Sequence, residues 1–220
     1  HAANMHHKNH IFSLRLDNTT VHDELGMAEA PFHHFSSLFG SYSPREFSID
    51  LDQIDDRSFD LADLEHPFTE DEILKAMRAL PCGKAPGPDG FTAEFLRSCW
   101  SVIKYDLRCV FDQVYALRGR GFSCLNQALI TLLPKRADAN GLGDYRPISL
   151  IHIVAKVLAK LLSLRLAPKL NNLVSNVQNA FIHGRSLHDN FILVRQSARL
   201  LHQLGAPRVL LKLDLARAFD

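Results

Sequence analysis

A short apolar run near residue 210 leads directly to a carboxylate. The segment Val209–Leu213 is aliphatic except for Lys212, and Asp214 follows it. This pattern predicts a buried strand with an acid at its exit. A carboxylate in that position is suited to hold a metal ion, but it also fits an Asp that closes a turn or caps a helix. The stretch by itself leaves both interpretations open.

The size and composition of the chain predict a soluble globular protein. Its 220 residues, of which 46% are hydrophobic, suffice for one substantial core or for a core with an appendage. The sequence has no apolar run long enough to cross a bilayer, so we expect no membrane partner. The chain does not begin with Met and lacks the basic-then-apolar order of a signal peptide, and we expect that both ends were cut from something longer.

Charged residues are distributed unevenly along the chain. Residues 1–72 hold 4 Lys/Arg and 15 Asp/Glu, for a net charge of −11, and the acids are concentrated between Asp50 and Glu72. Residues 73–220 hold 21 Lys/Arg and 9 Asp/Glu, for a net charge of +12. A basic body beside an acidic leader is typical of a protein that binds a polyanion, although solvated helix faces would give the same composition.

The cysteines and histidines form no recognisable metal-binding pattern. The four cysteines are far apart and include no Cys-x-x-Cys pair, which favours reduced core thiols in an intracellular protein over a zinc site or a disulfide framework. The twelve histidines include adjacent pairs but no His-Glu-x-x-His motif, so we interpret them as surface or core residues.

Two helix signals flank an acidic segment in the first part of the chain. Residues 28–39 predict an amphipathic helix ended by Gly40, with an aromatic stripe that includes Phe32 and Phe35 and is expected to pack in the core. Residues 41–66 are acidic, have little periodicity and are typical of a linker or a loosely packed edge.

The second helix signal is a capping box. Thr69 precedes Glu72 by three residues, and Phe68 can pack onto Ile73 as a hydrophobic staple, so the pattern predicts a helix that begins here and ends at Pro81. The following segment, residues 81–90, is the densest turn signal in the chain. It is not a phosphate-binding loop of the Walker type, because that motif requires Ser or Thr after its Gly-Lys pair and a helix directly afterwards.

A β-ribbon and several helices are predicted further along. Ala128–Leu133 and Ile148–Ile151 are apolar enough for two strands, which would place Lys135 and Arg136 at the tip of the ribbon. Helices are expected at residues 92–100, 101–117, 153–170 and 187–204. The apolar face of the third of these would point inward, and Arg165 would lie on its solvent face with two lysines.

Five sequence blocks in a fixed order carry a family resemblance. The blocks are Pro86–Phe91, Ile130–Lys135, Tyr145–Leu150, Gln178–Ser186 and Leu213–Asp220. Together they resemble the reverse transcriptase of a non-LTR (LINE-type) retrotransposon, of the kind abundant in plants. The resemblance covers about residues 67–220, and each block alone is a weak signal.

The resemblance implies an α+β fold, with the fingers and the beginning of the palm of a right-hand polymerase, mostly helical with a β-ribbon and truncated. Residues 1–66 would be an acidic leader like the connector between endonuclease and polymerase, residues 67–207 the fingers and the finger and palm helices, and residues 208–220 the first palm strand. The implied activity is RNA-directed DNA synthesis from an RNA template, a DNA primer and dNTPs, in an intracellular and nuclear location.

The resemblance also assigns roles to individual residues. Asp214 would be the first palm aspartate and a ligand of two catalytic Mg²⁺ ions, with Leu215 contributing its backbone carbonyl. Phe219 would exclude a 2′-hydroxyl under the incoming sugar, and Lys135 and Arg146 would bind the triphosphate. Positions that match segments touching template or RNA backbone are Gly87, Asp89, Gly90 and Arg185.

Several parts of the family pattern are missing from these 220 residues, including the thumb, the primer grip and the target-site endonuclease. The two-ion site needs an aromatic-Ala-Asp-Asp motif, which the sequence does not contain, so we expect no polymerase activity from this polypeptide alone. Two alternatives stay open at this point. One is a non-catalytic nucleic-acid-binding remnant, and the other is the reverse transcriptase of a group II intron maturase.

Overall fold

The structure is a computed structural model that describes residues 11–16, 19–40, 48, 50, 59–118 and 121–205. Its helices are Glu24–Gly40 (α1), Glu70–Arg78 (α2), Ala93–Ser98 (α3), Trp100–Tyr115 (α4), Phe122–Leu125 (α5), Ile153–Leu166 (α6), Leu170–Leu173 (α7) and Leu187–Gln203 (α8). Its strands are Leu14–Leu16 (β1), Thr19–Val21 (β2), Ala128–Pro134 (β3) and Tyr145–Ile151 (β4). Short 3-10 turns occur at Ala62–Glu65, Leu142–Asp144 and Ala167–Lys169.

The described residues fall into two compact units. One contains residues up to Asp50 together with Leu129–Leu150, and the other contains the described residues of 59–128 and 151–205. The strand predicted at residues 209–213 lies outside the described residues, and the domain boundaries expected after residues 66 and 207 stay predictions.

The first unit combines two small sheets with helix α1. Strands β1 and β2 pair antiparallel, and β3 pairs with β4 to form the expected ribbon. Leu14, Leu142 and Tyr145 form its buried cluster. The Arg15 backbone N–H donates to the Asn140 carbonyl at 2.7 Å, which ties β1 to the loop of the ribbon.

Helix α1 is longer than its sequence pattern predicts, and its aromatic stripe packs only in part. The helix begins at Glu24 because the Asp23 carboxylate accepts a hydrogen bond from the Gly26 N–H at 2.8 Å, as an N-terminal cap does. Phe35 is buried, but Phe32 is 68% exposed. The expectation that both pack in the core was therefore wrong for Phe32.

The second unit has the main core of the described residues. Helix α2 packs against α6, and α2 also contacts α3 and α4. Side chains from all four helices form the buried cluster, with Phe68, Ile73, Phe111 and Val157 among its members. The predicted staple is confirmed, because Phe68 and Ile73 are both buried in this cluster on either side of the helix start.

The start of α2 also has the predicted capping box. The Thr69 hydroxyl accepts from the Glu72 N–H at 3.2 Å, and the Thr69 N–H donates to the Glu72 carboxylate at 2.9 Å. Two orphan N–H groups at the helix end are thereby satisfied by local side chains. The beginning of this helix could therefore be predicted from the sequence.

Arg165 does not lie on the solvent face of α6, and this expectation was wrong. Its side chain is only 11% exposed, and Nε lies 2.7 Å from Glu72 Oε1. A second guanidinium nitrogen donates to Glu72 Oε2 at 2.8 Å, while further bonds reach the backbone carbonyls of residues 64, 66 and 67. The guanidinium also lies 4.7 Å from the centre of the Phe68 ring. Arg165 therefore joins α6 to the start of α2.

The remaining helix predictions were right in type. The helix expected at residues 153–170 ends its regular part at Leu166 and continues as a 3-10 turn and α7. The four cysteines are free thiols, as predicted, but the expectation that they lie in the core was wrong, because Cys82 and Cys124 are exposed and Cys99 and Cys109 are only partly buried. None of the helices that the structure describes is long and apolar enough to cross a membrane.

Candidate nucleic-acid interface

The turn at residues 86–91 is fixed to the start of α6 by Asp89. One carboxylate oxygen accepts the Ile153 N–H at 2.7 Å and lies 3.3 Å from His152 Nδ1, while the other accepts the Phe91 N–H at 3.2 Å. The Asp89 side chain is only 14% exposed. Asp89 therefore caps α6 and closes its own turn, so its carboxylate is engaged within the protein and not presented to solvent.

Gly87 and Gly90 have different roles in the same turn. A Cβ at Gly87 would overlap the Ile151 carbonyl and lie 2.5 Å from its carbon, so only glycine permits this approach of two backbones. Gly90 has a φ of +71°, and its position opens into empty space. Gly87 and Asp89 thus position the turn, whereas Gly90 is exposed at the surface, where contact with a nucleic-acid backbone stays a prediction.

The close contact at Gly87 predicts that three Gly→Ala substitutions differ in their effect on stability. We expect Gly87→Ala to lower the free energy of unfolding by about 3 kcal/mol, because backbone atoms cannot yield to the new methyl group. Gly90→Ala should cost about 1 kcal/mol for its left-handed backbone, and Gly143→Ala, which meets no atom within 4 Å, should be near neutral. Urea denaturation of the three variants measures the series. An effect of Gly87→Ala no larger than that of Gly143→Ala would contradict it.

The β-ribbon carries the two residues predicted to bind a triphosphate. Lys135 directly follows β3, its backbone N–H donates to the Asp144 carbonyl at 2.8 Å, and its Nζ donates to the Gly143 carbonyl at 3.3 Å. Arg146 is exposed as the second residue of β4. Both cations are therefore accessible on the same two-stranded element.

Asp144 organises the loop of the ribbon. Its carboxylate accepts the Gly141 N–H at 3.1 Å and lies 2.9 Å from an Arg136 nitrogen. These contacts, the bond from Gly141 first, hold the pKa of Asp144 below its usual value. The loop between the strands is thereby closed by its own residues, and Arg136 has a structural partner in it.

Arg185 is bonded within its own loop. Its guanidinium donates to the carbonyls of Ser175 at 2.5 Å, Gln178 at 2.7 Å and Val174 at 3.0 Å. These bonds fold the segment that carries Phe181, whose side chain is 98% exposed and whose φ is +64°. The direct contact of Arg185 with nucleic acid stays a prediction, and its observed contacts position the loop.

The residues predicted for the metal site cannot be described in the same way. Asp214, Leu215 and Phe219 lie outside the described residues. Within the part of the chain that the structure describes, no group of three or more His, Cys, Asp or Glu side chains could hold a metal ion. The assignment of a two-ion site therefore rests on the sequence pattern alone.

Sequence reasoning missed several side chains around the turn at residues 86–91. Phe91 and Phe95 are stacked, with ring centres 4.9 Å apart and planes 11° from parallel, and each is 46% exposed. Lys156 donates to the Ala85 carbonyl at 3.1 Å, although its pattern indicated only a solvated helix face. The four-residue spacing of the two phenylalanines was the available signal, because it places them on one side of a helix start.

Comparison with known families identifies the class of protein. Residues 133–220 match the family described as reverse transcriptase (RNA-dependent DNA polymerase). This segment includes Lys135, Arg146 and Asp214. The chain therefore carries part of a reverse transcriptase domain, in agreement with the resemblance stated from its sequence blocks.

Two relatives narrow the class to proteins of non-LTR retrotransposons. The chain is 34% identical over 157 residues to the transposon TX1 uncharacterized 149 kDa protein of Xenopus laevis. It is 31% identical over 156 residues to the retrovirus-related Pol polyprotein from type-1 retrotransposable element R1 of Bradysia coprophila. The matches cover 71% and 68% of this chain, but only 12% and 15% of the relatives. The reverse transcriptase segment is thus of the non-LTR retrotransposon type.

Proposed function

We propose that this chain belongs to an RNA-directed DNA polymerase that copies retrotransposon RNA. The observation that carries the proposal is the match of residues 133–220 to the reverse transcriptase family. The matched segment contains both Asp214 and the cations Lys135 and Arg146 of the β-ribbon. The mixture of helices with a β-ribbon is compatible with the fingers of a right-hand polymerase. The partners would be an RNA template, a DNA primer and dNTPs, and the site of action would be the nucleus.

Each proposed site residue supplies a chemistry suited to nucleotidyl transfer. Arg146 offers a planar, bidentate donor for phosphate oxygens, and Lys135 offers a compact point charge. Asp214 provides a hard oxygen ligand, and bound Mg²⁺ would activate the primer hydroxyl and stabilise the leaving group. Phe219 would discriminate against ribonucleotides through its bulk.

A domain exchange tests the proposal. This chain would replace the aligned segment of the R1-type relative, and the rest of the relative would supply the Asp-Asp motif that these 220 residues do not contain. We expect the chimera to incorporate dNTPs on a primed RNA template in the presence of Mg²⁺, as the parent protein would. A folded chimera that binds the primed template but incorporates no dNTP would favour the non-catalytic remnant and contradict the proposal.

A further inference from the structure

Asp144 ends the loop that connects the two strands of the β-ribbon, residues 135–144, which we call the ribbon loop. The loop begins with Lys135, whose backbone N–H donates to the Asp144 carbonyl at 2.8 Å. Arg146 follows Asp144 by two residues. Asp144 is therefore joined through the backbone to both cations proposed to bind the triphosphate, although its own side chain carries the opposite charge.

The Asp144 carboxylate joins the beginning of the ribbon loop to its end. One oxygen accepts the Gly141 N–H at 3.1 Å and the Asn140 N–H at 3.4 Å, while the other lies 2.9 Å from an Arg136 nitrogen. The side chain of Asp144 is 23% exposed, so water screens these bonds only in part. Because Arg136 directly follows Lys135, the carboxylate also restrains the backbone that carries Lys135.

The Lys135 side chain depends on the same arrangement. Its Nζ donates to the Gly143 carbonyl at 3.3 Å. Gly143 is the middle residue of the 3-10 turn Leu142–Asp144, which the Asp144 N–H closes by donating to the Gly141 carbonyl at 2.9 Å. The Lys135 ammonium is therefore located by a turn that Asp144 holds through both its backbone and its side chain.

The end of the ribbon loop is also fixed by packing within its own unit. Leu142 and Tyr145 are buried, and the Tyr145 hydroxyl donates to the Ala139 carbonyl at 3.1 Å. Loss of the Asp144 charge should consequently leave this end in place and loosen the beginning of the loop, where Arg136 would lose its closest acidic partner.

We propose that Asp144 is a positioning residue for the incoming nucleotide, whose carboxylate sets the affinity for the triphosphate by holding Lys135 in place. Asp144 acts through Lys135 and does not itself contact the nucleotide. A side chain that is already held in position loses less conformational freedom on binding, which raises affinity. The inference rests on the proposed function, since it requires Lys135 to bind the triphosphate.

Two effects of the Asp144 charge on a polyanion have opposite signs. A carboxylate repels a triphosphate through space, so removal of its charge would by itself strengthen binding. Loss of the bond to Arg136 would loosen the beginning of the ribbon loop and weaken binding. The sign of the measured change therefore distinguishes positioning from simple electrostatics.

Titration of the 220-residue chain with inorganic tripolyphosphate tests the inference without catalysis. Asp144→Asn keeps the size of the side chain and an oxygen that can accept the Gly141 N–H, but it removes the negative charge that pairs with Arg136. We expect Asp144→Asn to bind tripolyphosphate about tenfold more weakly than the wild type, a size typical of coupling between residues in contact. The affinity for a single-stranded RNA at the same salt concentration should not change.

Asp138→Asn is the matched control. Asp138 lies in the same loop, 3.3 Å from the same Arg136, but its side chain is 79% exposed and the pair should contribute little. The substitution makes the same change of charge at nearly the same place. We expect Asp138→Asn to bind tripolyphosphate at least as tightly as the wild type does.

A double-mutant cycle shows whether Asp144 acts through Lys135. Lys135→Met removes the proposed phosphate contact and should weaken tripolyphosphate binding. If Asp144 only positions Lys135, Asp144→Asn should cause no further loss of affinity when Lys135→Met is already present. Additive losses would mean that the two residues act independently.

The chimera gives a kinetic readout of the same inference. Asp144→Asn should raise the KM for dNTPs about tenfold and keep kcat within about twofold of the parent, because binding and not chemistry is weakened. A general structural defect would instead lower kcat and the affinity for RNA as well. Thermal unfolding checks the fold, and Asp144→Ser, whose hydroxyl can also accept the Gly141 N–H, is the second variant should Asp144→Asn fail to fold.

Four outcomes would overturn the inference. These are a wild-type chain that does not bind tripolyphosphate, a folded Asp144→Asn variant that binds it equally or more tightly, an equal loss in Asp138→Asn, and additive losses in the double variant. dNTP incorporation by the parent chimera is a separate readout. If the chimera is active and Asp144→Asn leaves its KM unchanged, the positioning role fails while the polymerase function stands.

Discussion

Asp214→Asn in the chimera should reduce dNTP incorporation at least about 100-fold while RNA binding remains as in the parent chimera. The substitution keeps the size of the side chain but removes the negative charge that a divalent cation needs, and metal stabilisation of the transition state is worth several kcal/mol. Primer extension at saturating template measures the rate, and RNA affinity at the same salt concentration measures binding.

An exposed carboxylate elsewhere on the chain provides the control. Asp106 lies on α4 and is exposed, so Asp106→Asn makes the same chemical change at a residue to which no catalytic role is assigned. We expect the Asp106→Asn chimera to keep the parental rate. Equal rates for the Asp214→Asn and Asp106→Asn variants would remove Asp214 from the catalytic site and support a role at the end of a strand or in a turn.

The start of α2 and the ribbon could be predicted because their signals are local. The capping box joins Thr69 to Glu72 across three residues, and the strands β3 and β4 are apolar runs separated by a Gly-rich loop. The burial of the aromatic stripe of α1 was harder to predict, because periodicity shows which residues share one face of a helix but not what covers that face. Phe32 is exposed although its spacing matches that of buried Phe35.

The contacts that fix the candidate site join residues far apart in the sequence. Asp89 bonds to Ile153, 64 residues later, and Arg165 bonds to Glu72 across 93 residues. From the helical pattern we expected Arg165 on the solvent face because its side chain is charged. Only the packing of α2 against α6 brings Arg165 to Glu72. The blocks of family resemblance identified the right segments, but they did not distinguish Asp89, which is engaged within the protein, from exposed Gly90.

The Arg165–Glu72 pair has a predictable dependence on pH. The hydrogen bonds from Arg165 are the largest of the causes that lower the pKa of Glu72 from 4.5 to about 2. A carboxyl group whose pKa is lower in the folded state stabilises the protein above its unfolded pKa, and the contribution is lost as protonation of the folded state sets in. This part of the stability is therefore complete above about pH 4.5 and disappears as the pH falls towards 2.

Arg165→Met should lower the free energy of unfolding by about 3 kcal/mol at neutral pH, because Glu72 loses its charge partner and three backbone carbonyls lose a donor. Arg108→Met is the matched control, since Arg108 pairs with Asp112 one turn away while both side chains are at least 38% exposed, and its loss should cost less than about 0.5 kcal/mol. Urea denaturation at several pH values measures both variants. The difference between wild type and Arg165→Met should shrink as the pH falls from 4.5 towards 2, because Glu72 is then protonated in both proteins and the charge contribution is absent. A difference that does not depend on pH would mean that Arg165 stabilises the α2–α6 junction through its carbonyl bonds and packing alone.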